Sequence, residues 1–151
     1  MTTLIRKVPM EWLPSLWPEL KPWVAKAMRY HPFVDADDVL VLAMSGHLTV
    51  FVAIVDDRLV GTFMVELLRY PKRLVANIMV IGGRRGSMRR WLDEMLGAVE
   101  SWAIGLGCEA LQGLGRVGWA RKAESRREGW ETIRYAGLAR SLAHERRQGR
   151  R

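Results

Sequence analysis

Apolar and polar positions divide the chain into segments of two different periods. Met88, Trp91, Leu92, Met95, Leu96, Val99, Trp102 and Ala103 recur at helical spacing and predict the clearest helix, which Gly105 and Gly107 end. Three runs rich in β-branched residues come before it: Leu48–Val55, Arg58–Leu68 and Leu74–Ile81. Asp56-Asp57 reads as a hairpin turn between the first two, and Tyr70-Pro71-Lys72 as the next turn. The third run is apolar enough to be a central strand buried on both faces. Upstream, Asp35 or Asp37 caps a helix with Val39, Leu40, Leu42 and Ala43 on its apolar face, and Gly46 ends it. Earlier still, Pro9, Pro14, Pro18 and Pro22 predict short helical turns, with a regular helix only over Trp23–Arg29, because proline lacks the N–H that an interior helical position needs.

Downstream, Glu109–Leu114 reads as a short strand. Gly118–Arg127 reads as a helix stopped by Gly129, and Trp130–Tyr135 as a last strand. From Ala139 the chain is polar and Arg-rich, and reads as a tail that continues helically to about Arg147 and then frays. The expectation is one domain over residues 1–138 with a basic, partly disordered tail over 139–151. The order of elements implies an α/β (α+β) fold: a mixed, mostly antiparallel central sheet flanked by helices.

Composition narrows the class. The chain has 151 residues, 49% of them hydrophobic, which suits one packed domain. Cys108 is the only cysteine, so no intrachain disulfide forms. No apolar run reaches the length of a membrane span, and no secretory signal is visible, so the expected location is cytoplasmic or a particle assembled in a cytoplasm. Net charge is +8, concentrated in the second half and carried mostly by arginine. The charge admits two readings: an anionic partner that arginine contacts in bidentate fashion, or a solvated basic surface from a genome that favours arginine codons. Arg140, Arg146, Arg147, Arg150 and Arg151 extend it into the tail, where non-specific nucleic-acid contact is one expectation, though no nucleic-acid-binding motif accompanies them.

Candidate chemistry gathers after the third strand. There Met79, Val80 and Ile81 lead into Gly82, Gly83, Arg84, Arg85, Gly86 and Ser87, and Met88 and Arg89 open the long helix. The first N–H groups of a helix lack internal partners and carry the positive end of its dipole, so a phosphate fits there. Glycines admit close backbone approach. Arg84, Arg85, Arg89 and Arg90 oppose the dipole unless an anion offsets them. The P-loop and dinucleotide fingerprints are both absent. His31, His47 and His144 are scattered, and no spacing indicates a metal site. Cys108, which follows Gly107 at a strand entrance, reads as a buried residue.

Over roughly residues 4–136 this order of elements resembles the GNAT N-acyltransferase superfamily. That family carries the pyrophosphate of acetyl-CoA on a Gln/Arg-x-x-Gly-x-Gly/Ala loop. Gly83–Met88 aligns with it: Gly86 matches, and Gly83 and Met88 depart. Gly115-Arg116-Val117-Gly118-Trp119, with Ile81-Gly82-Gly83 and Trp102-Ala103…Gly107-Cys108, is similar to a divergent branch encoded in bacteriophages and prophages. The resemblance implies acetyl-CoA on residues 79–89, with its pantetheine amides along the third strand's edge. It also implies an amine acceptor and Glu66 as the base. Glu66 otherwise reads as a solvent-facing strand residue. The tyrosine that often protonates the leaving thiolate has no counterpart over residues 118–127, which offer Trp119 and Ser125 instead. The alternative is a non-catalytic module of the same fold, contacting phage structural proteins, host proteins or DNA.

Overall fold

The computed structural model describes residues 2–114, 131–133 and 137–141. The chain divides into two compact units, Met1–Glu66 with Met79–Met95, and Leu67–Ile78 with Leu96–Arg151.

The first unit opens with strand β1 (Thr3–Lys7) and a short 3-10 turn (Met10–Trp12). Helices α1 (Leu13–Met28) and α2 (Ala36–Met44) follow, then strand β2 (Thr49–Val55); strands β3 (Arg58–Arg69) and β4 (Leu74–Gly83) and helix α3 (Met88–Gly105) each contribute residues to both units. β1 pairs antiparallel with β2, and β2 with β3. The two-residue β2–β3 turn has Asp56 at φ 49° and Asp57 at φ 64°. Two left-handed residues in succession suit a hairpin because their twist matches that of the strands.

α1 corrects the reading of its prolines. It is one continuous helix with Pro18 and Pro22 inside it. Pro14, Pro18 and Pro22 recur every fourth residue and all lie on the exposed face. The carbonyls their missing N–H groups would have bonded, at Pro14 and Pro18, therefore lie on the side open to water. The opposite face buries Leu13, Trp17, Leu20, Val24 and Met28 in one cluster with Val39 and Ala43 of α2 and Val50, Val52, Met64 and Val80 of the sheet. β1 is a second departure, since the sequence reading assigned no strand before α1.

Caps follow the expected chemistry. Asp35 caps α2: its side chain accepts from the Asp38 N–H, and Asp38 returns the bond to the Asp35 N–H. Gly46, at φ 84°, closes α2 with bonds from the Gly46 N–H to Ala43 and from the His47 N–H to Leu42.

In the second unit β4 pairs in parallel with β5 (Ala110–Leu114). β5 pairs antiparallel with β7 (Gly137–Ser141), which pairs antiparallel with β6 (Glu131–Ile133). β7 is the third correction, because residues 139–141 continue a strand where the sequence suggested a helical tail. Val75, Ala76 and Ile78 of β4, Leu96, Val99 and Ala103 of α3, Cys108, and Leu111 of β5 are buried. The result is a mixed, mostly antiparallel sheet with helices against it, as expected.

Candidate functional site

The end of β4 and the turn into α3 are built by close packing. Pairing to β5 covers Val75 to Ile78, and β4 then runs on to Gly83. Val80 is buried in the α1–α2 core, Met79 packs against that core, and Ile81 is half-buried. A Cβ on Gly82 would stand 2.9 Å from the Trp23 Cβ and 3.0 Å from its carbonyl oxygen. A Cβ on Gly83 would stand 2.5 Å from the Val60 carbonyl oxygen and 3.0 Å from both the Gly61 Cα and the Trp91 ring. Side chains at 82 and 83 are excluded by protein, not by the needs of a ligand.

Trp91 anchors the other side. It is fully buried on the first turn of α3, in an edge-to-face contact with Phe63 at 5.8 Å between ring centroids. Gly61 supplies the notch for the indole, since a Cβ there would overlap the ring. The indole Nε1–H donates to Ser87 Oγ at 3.1 Å, and Ser87 Oγ donates to the Arg84 carbonyl at 2.7 Å. The Arg84 N–H donates to the Val60 carbonyl at 2.8 Å, and the Ser87 N–H to the Arg84 carbonyl at 3.0 Å. Ser87 is thus a strut of the turn.

Gly86 differs from its neighbours. Its φ is 76°, and a Cβ there would meet nothing within 4 Å. Among the described residues, no acceptor lies on the N–H of Arg85, Gly86 or Met88. Arg84, Arg85 and Arg90 are exposed and form no ion pair among the described residues, and the first turn of α3 holds no acidic residue. Arg89 is exposed and has a partner. Open N–H donors, a helix N-terminus and unpaired guanidinium groups together attract an anion.

Glu66 lies half-buried on β3, one residue past the Thr49–Val65 pair, and has a partner of its own. Cys108 is buried, as expected. Among the described residues no group of His, Cys, Asp and Glu could hold a metal ion, and no helix is long and apolar enough to cross a membrane. Trp119, Ser125, the Gly115–Trp119 segment, the 118–127 helix and Tyr135 lie outside the described residues.

The roles of Gly61, Trp91 and Ser87 in the turn were missed from sequence. Trp91 was visible only as one member of an apolar helix face, and its matching glycine lies far away in the chain.

Comparison with known proteins gives the fold. No protein-family model matches the chain, and no curated protein matches it either. Solved structures do match. A probable acetyltransferase from Staphylococcus epidermidis ATCC 12228 superposes with a TM-score of 0.68 at 16% identity, covering 94% of this chain and 100% of that one. A GNAT-family acetyltransferase from Staphylococcus aureus Mu50 gives 0.68 at 11% identity, covering 93% and 99%. An aminoglycoside acetyltransferase from an uncultured soil metagenomic sample, in complex with sisomicin, gives 0.65 at 15% identity, covering 87% and 91%. The fold of this chain is that of GNAT acetyltransferases.

Proposed function

We propose that the protein is a GNAT-type N-acetyltransferase that moves an acetyl group from acetyl-CoA to an amine. The observation that carries this reading is the β4–α3 turn, whose open N–H groups and unpaired arginines stand on a fold shared with acetyltransferases. The donor set fits a pyrophosphate: the N–H groups of Arg85, Gly86 and Met88 are open, and Arg84, Arg85 and Arg90 supply charge. The β4 edge from Met79 to Gly83, beyond the β5 pairing, would take the pantetheine amides as an added strand does. Acetyl-CoA supplies the activated thioester carbonyl. Glu66 would accept the proton of the incoming amine, directly or through one water.

A second reading is a binding module of the same fold that does not turn over. The absence of tyrosine from residues 118–127 favours it, because no phenol is offered there to protonate a leaving thiolate. Its partners would be phage structural proteins, host proteins or nucleic acid contacted by the basic C-terminal half.

Calorimetric titration with acetyl-CoA, with CoA and sulfate alongside, tests the first reading. Micromolar binding that weakens in Gly86→Trp supports it, and no binding at millimolar ligand refutes it. If binding holds, release of free CoA with a panel of amines separates the two readings. Glu66→Gln should then lower kcat by about 10²-fold or more, the usual contribution of a general base.

A further inference from the structure

A cavity of about 480 Å³ opens on the α1 side of the β1–β2–β3 sheet, within the size range of small-molecule sites. Leu16 of α1 and Val52, Ile54 and Leu59 of β2 and β3 form its apolar wall. Trp12 lines it too, with 61% of its surface exposed, an indole available for a ring or chain to pack on.

The cavity exists because of a register position. Arg6 pairs with Val52, and residues directly opposite across a strand pair share a face. Val52 is buried in the core, and so is Val8, two residues beyond Arg6. An arginine therefore stands on the face where an apolar residue would have closed the layer, and it is exposed. Trp12 of the 3-10 turn and Leu16 and Glu19 of α1 consequently face open space.

Charge selects the ligand. Arg6, Lys7, Arg58 and Arg84 line the cavity against Glu19 and Asp57. None of these six side chains makes an ion pair or hydrogen bond among the described residues. Lys7, opposite Phe51, and Arg58, opposite Val55, stand on the other face of the sheet, so Arg6 and Arg84 are the cations that offer charge-assisted bonds to an entering anion beside the apolar wall. We propose that this cavity is a binding site for a small anion with an apolar body, a short-chain or aromatic carboxylate or sulfonate. The inference shares Arg84 alone with the acetyl-CoA reading, because the rest of the cavity lining comes from β1, the 3-10 turn, α1 and the β2–β3 hairpin.

The probe is anilinonaphthalene sulfonate, titrated by fluorescence into the full chain well below its melting temperature. Saturable one-to-one binding is expected, displaced by octanoate but not by octanol. Leu16→Trp, which fills the cavity, and Arg6→Gln, which removes a wall cation, should each weaken binding at least about tenfold, as the loss of one charged hydrogen bond does. Lys26→Gln, on an exposed position of α1 away from the cavity, should bind like the parent. Arg6 is exposed, so Arg6→Gln decides the matter if Leu16→Trp fails to fold. No saturable binding, equal displacement by octanol, or unchanged affinity in Arg6→Gln would each overturn the assignment.

Discussion

At Gly83 an added Cβ would meet the Val60 carbonyl oxygen at 2.5 Å, whereas at Gly86, later in the same turn, it would meet nothing within 4 Å. Gly83 belongs to a packed corner in which β3, Gly61 and Trp91 leave no room. Gly86 belongs to an open corner in which the backbone takes φ 76°, a conformation that costs other residues energy. The packed corner holds the turn in place, and the open one leaves donors facing outward. A glycine-rich turn after a strand thus mixes two demands, and only one of them concerns a ligand.

Substitutions can break or sharpen this contrast. Trp91→Ala should have the largest effect, about 3–5 kcal/mol lost in a denaturant melt, because it empties the packed corner. Gly83→Ala should cost about 1–3 kcal/mol by overpacking, since the nearest obstacle is backbone and cannot swing away. Gly61→Ala should behave likewise, and Trp91→Phe should partly relieve it, a coupling that a double-mutant cycle detects. Ser87→Ala should cost about 1–2 kcal/mol by leaving the buried Trp91 N–H without its acceptor. Gly86→Ala should cost the least, about 1 kcal/mol, through its backbone angle alone. If Gly86→Ala lowered Tm more than Gly83→Ala, the turn would be held by its dihedral angles and the contrast would fail.

Much of the fold was legible because its signals are local. The Asp35 cap, the Asp56-Asp57 turn, the β2, β3 and β4 runs and the α3 face all lie within a few residues of the evidence for them. β1 was not read, since Thr3–Lys7 is short and only half apolar and becomes a strand by pairing with Val55 to Phe51. α1 reads as broken turns in the sequence because proline is costly inside a helix when nothing is known of the surroundings. Here the prolines line up on the wet face, and the buried face makes up the difference. The end of β7, from Ala139, reads as tail because Gly137–Ser141 carries little β-branched character, and its partners are β5 and β6. The candidate turn was visible as Gly82–Met88, but which of its glycines are structural was not, because Trp23, Val60, Gly61 and Trp91 are remote in sequence.

The proline row gives α1 a conditional character. Its backbone offers fewer internal bonds than a helix of that length normally has, so its order is borrowed from the strands beneath it. A peptide of residues 10–29 should show no helical circular dichroism in water. During synthesis, residues 13–28 emerge well before β2, β3 and β4, so this segment has no surface to settle on until most of the first unit has left the ribosome. The roof of the Arg6 cavity is therefore expected to take shape only with the sheet beneath it, and to be lost when that sheet loosens.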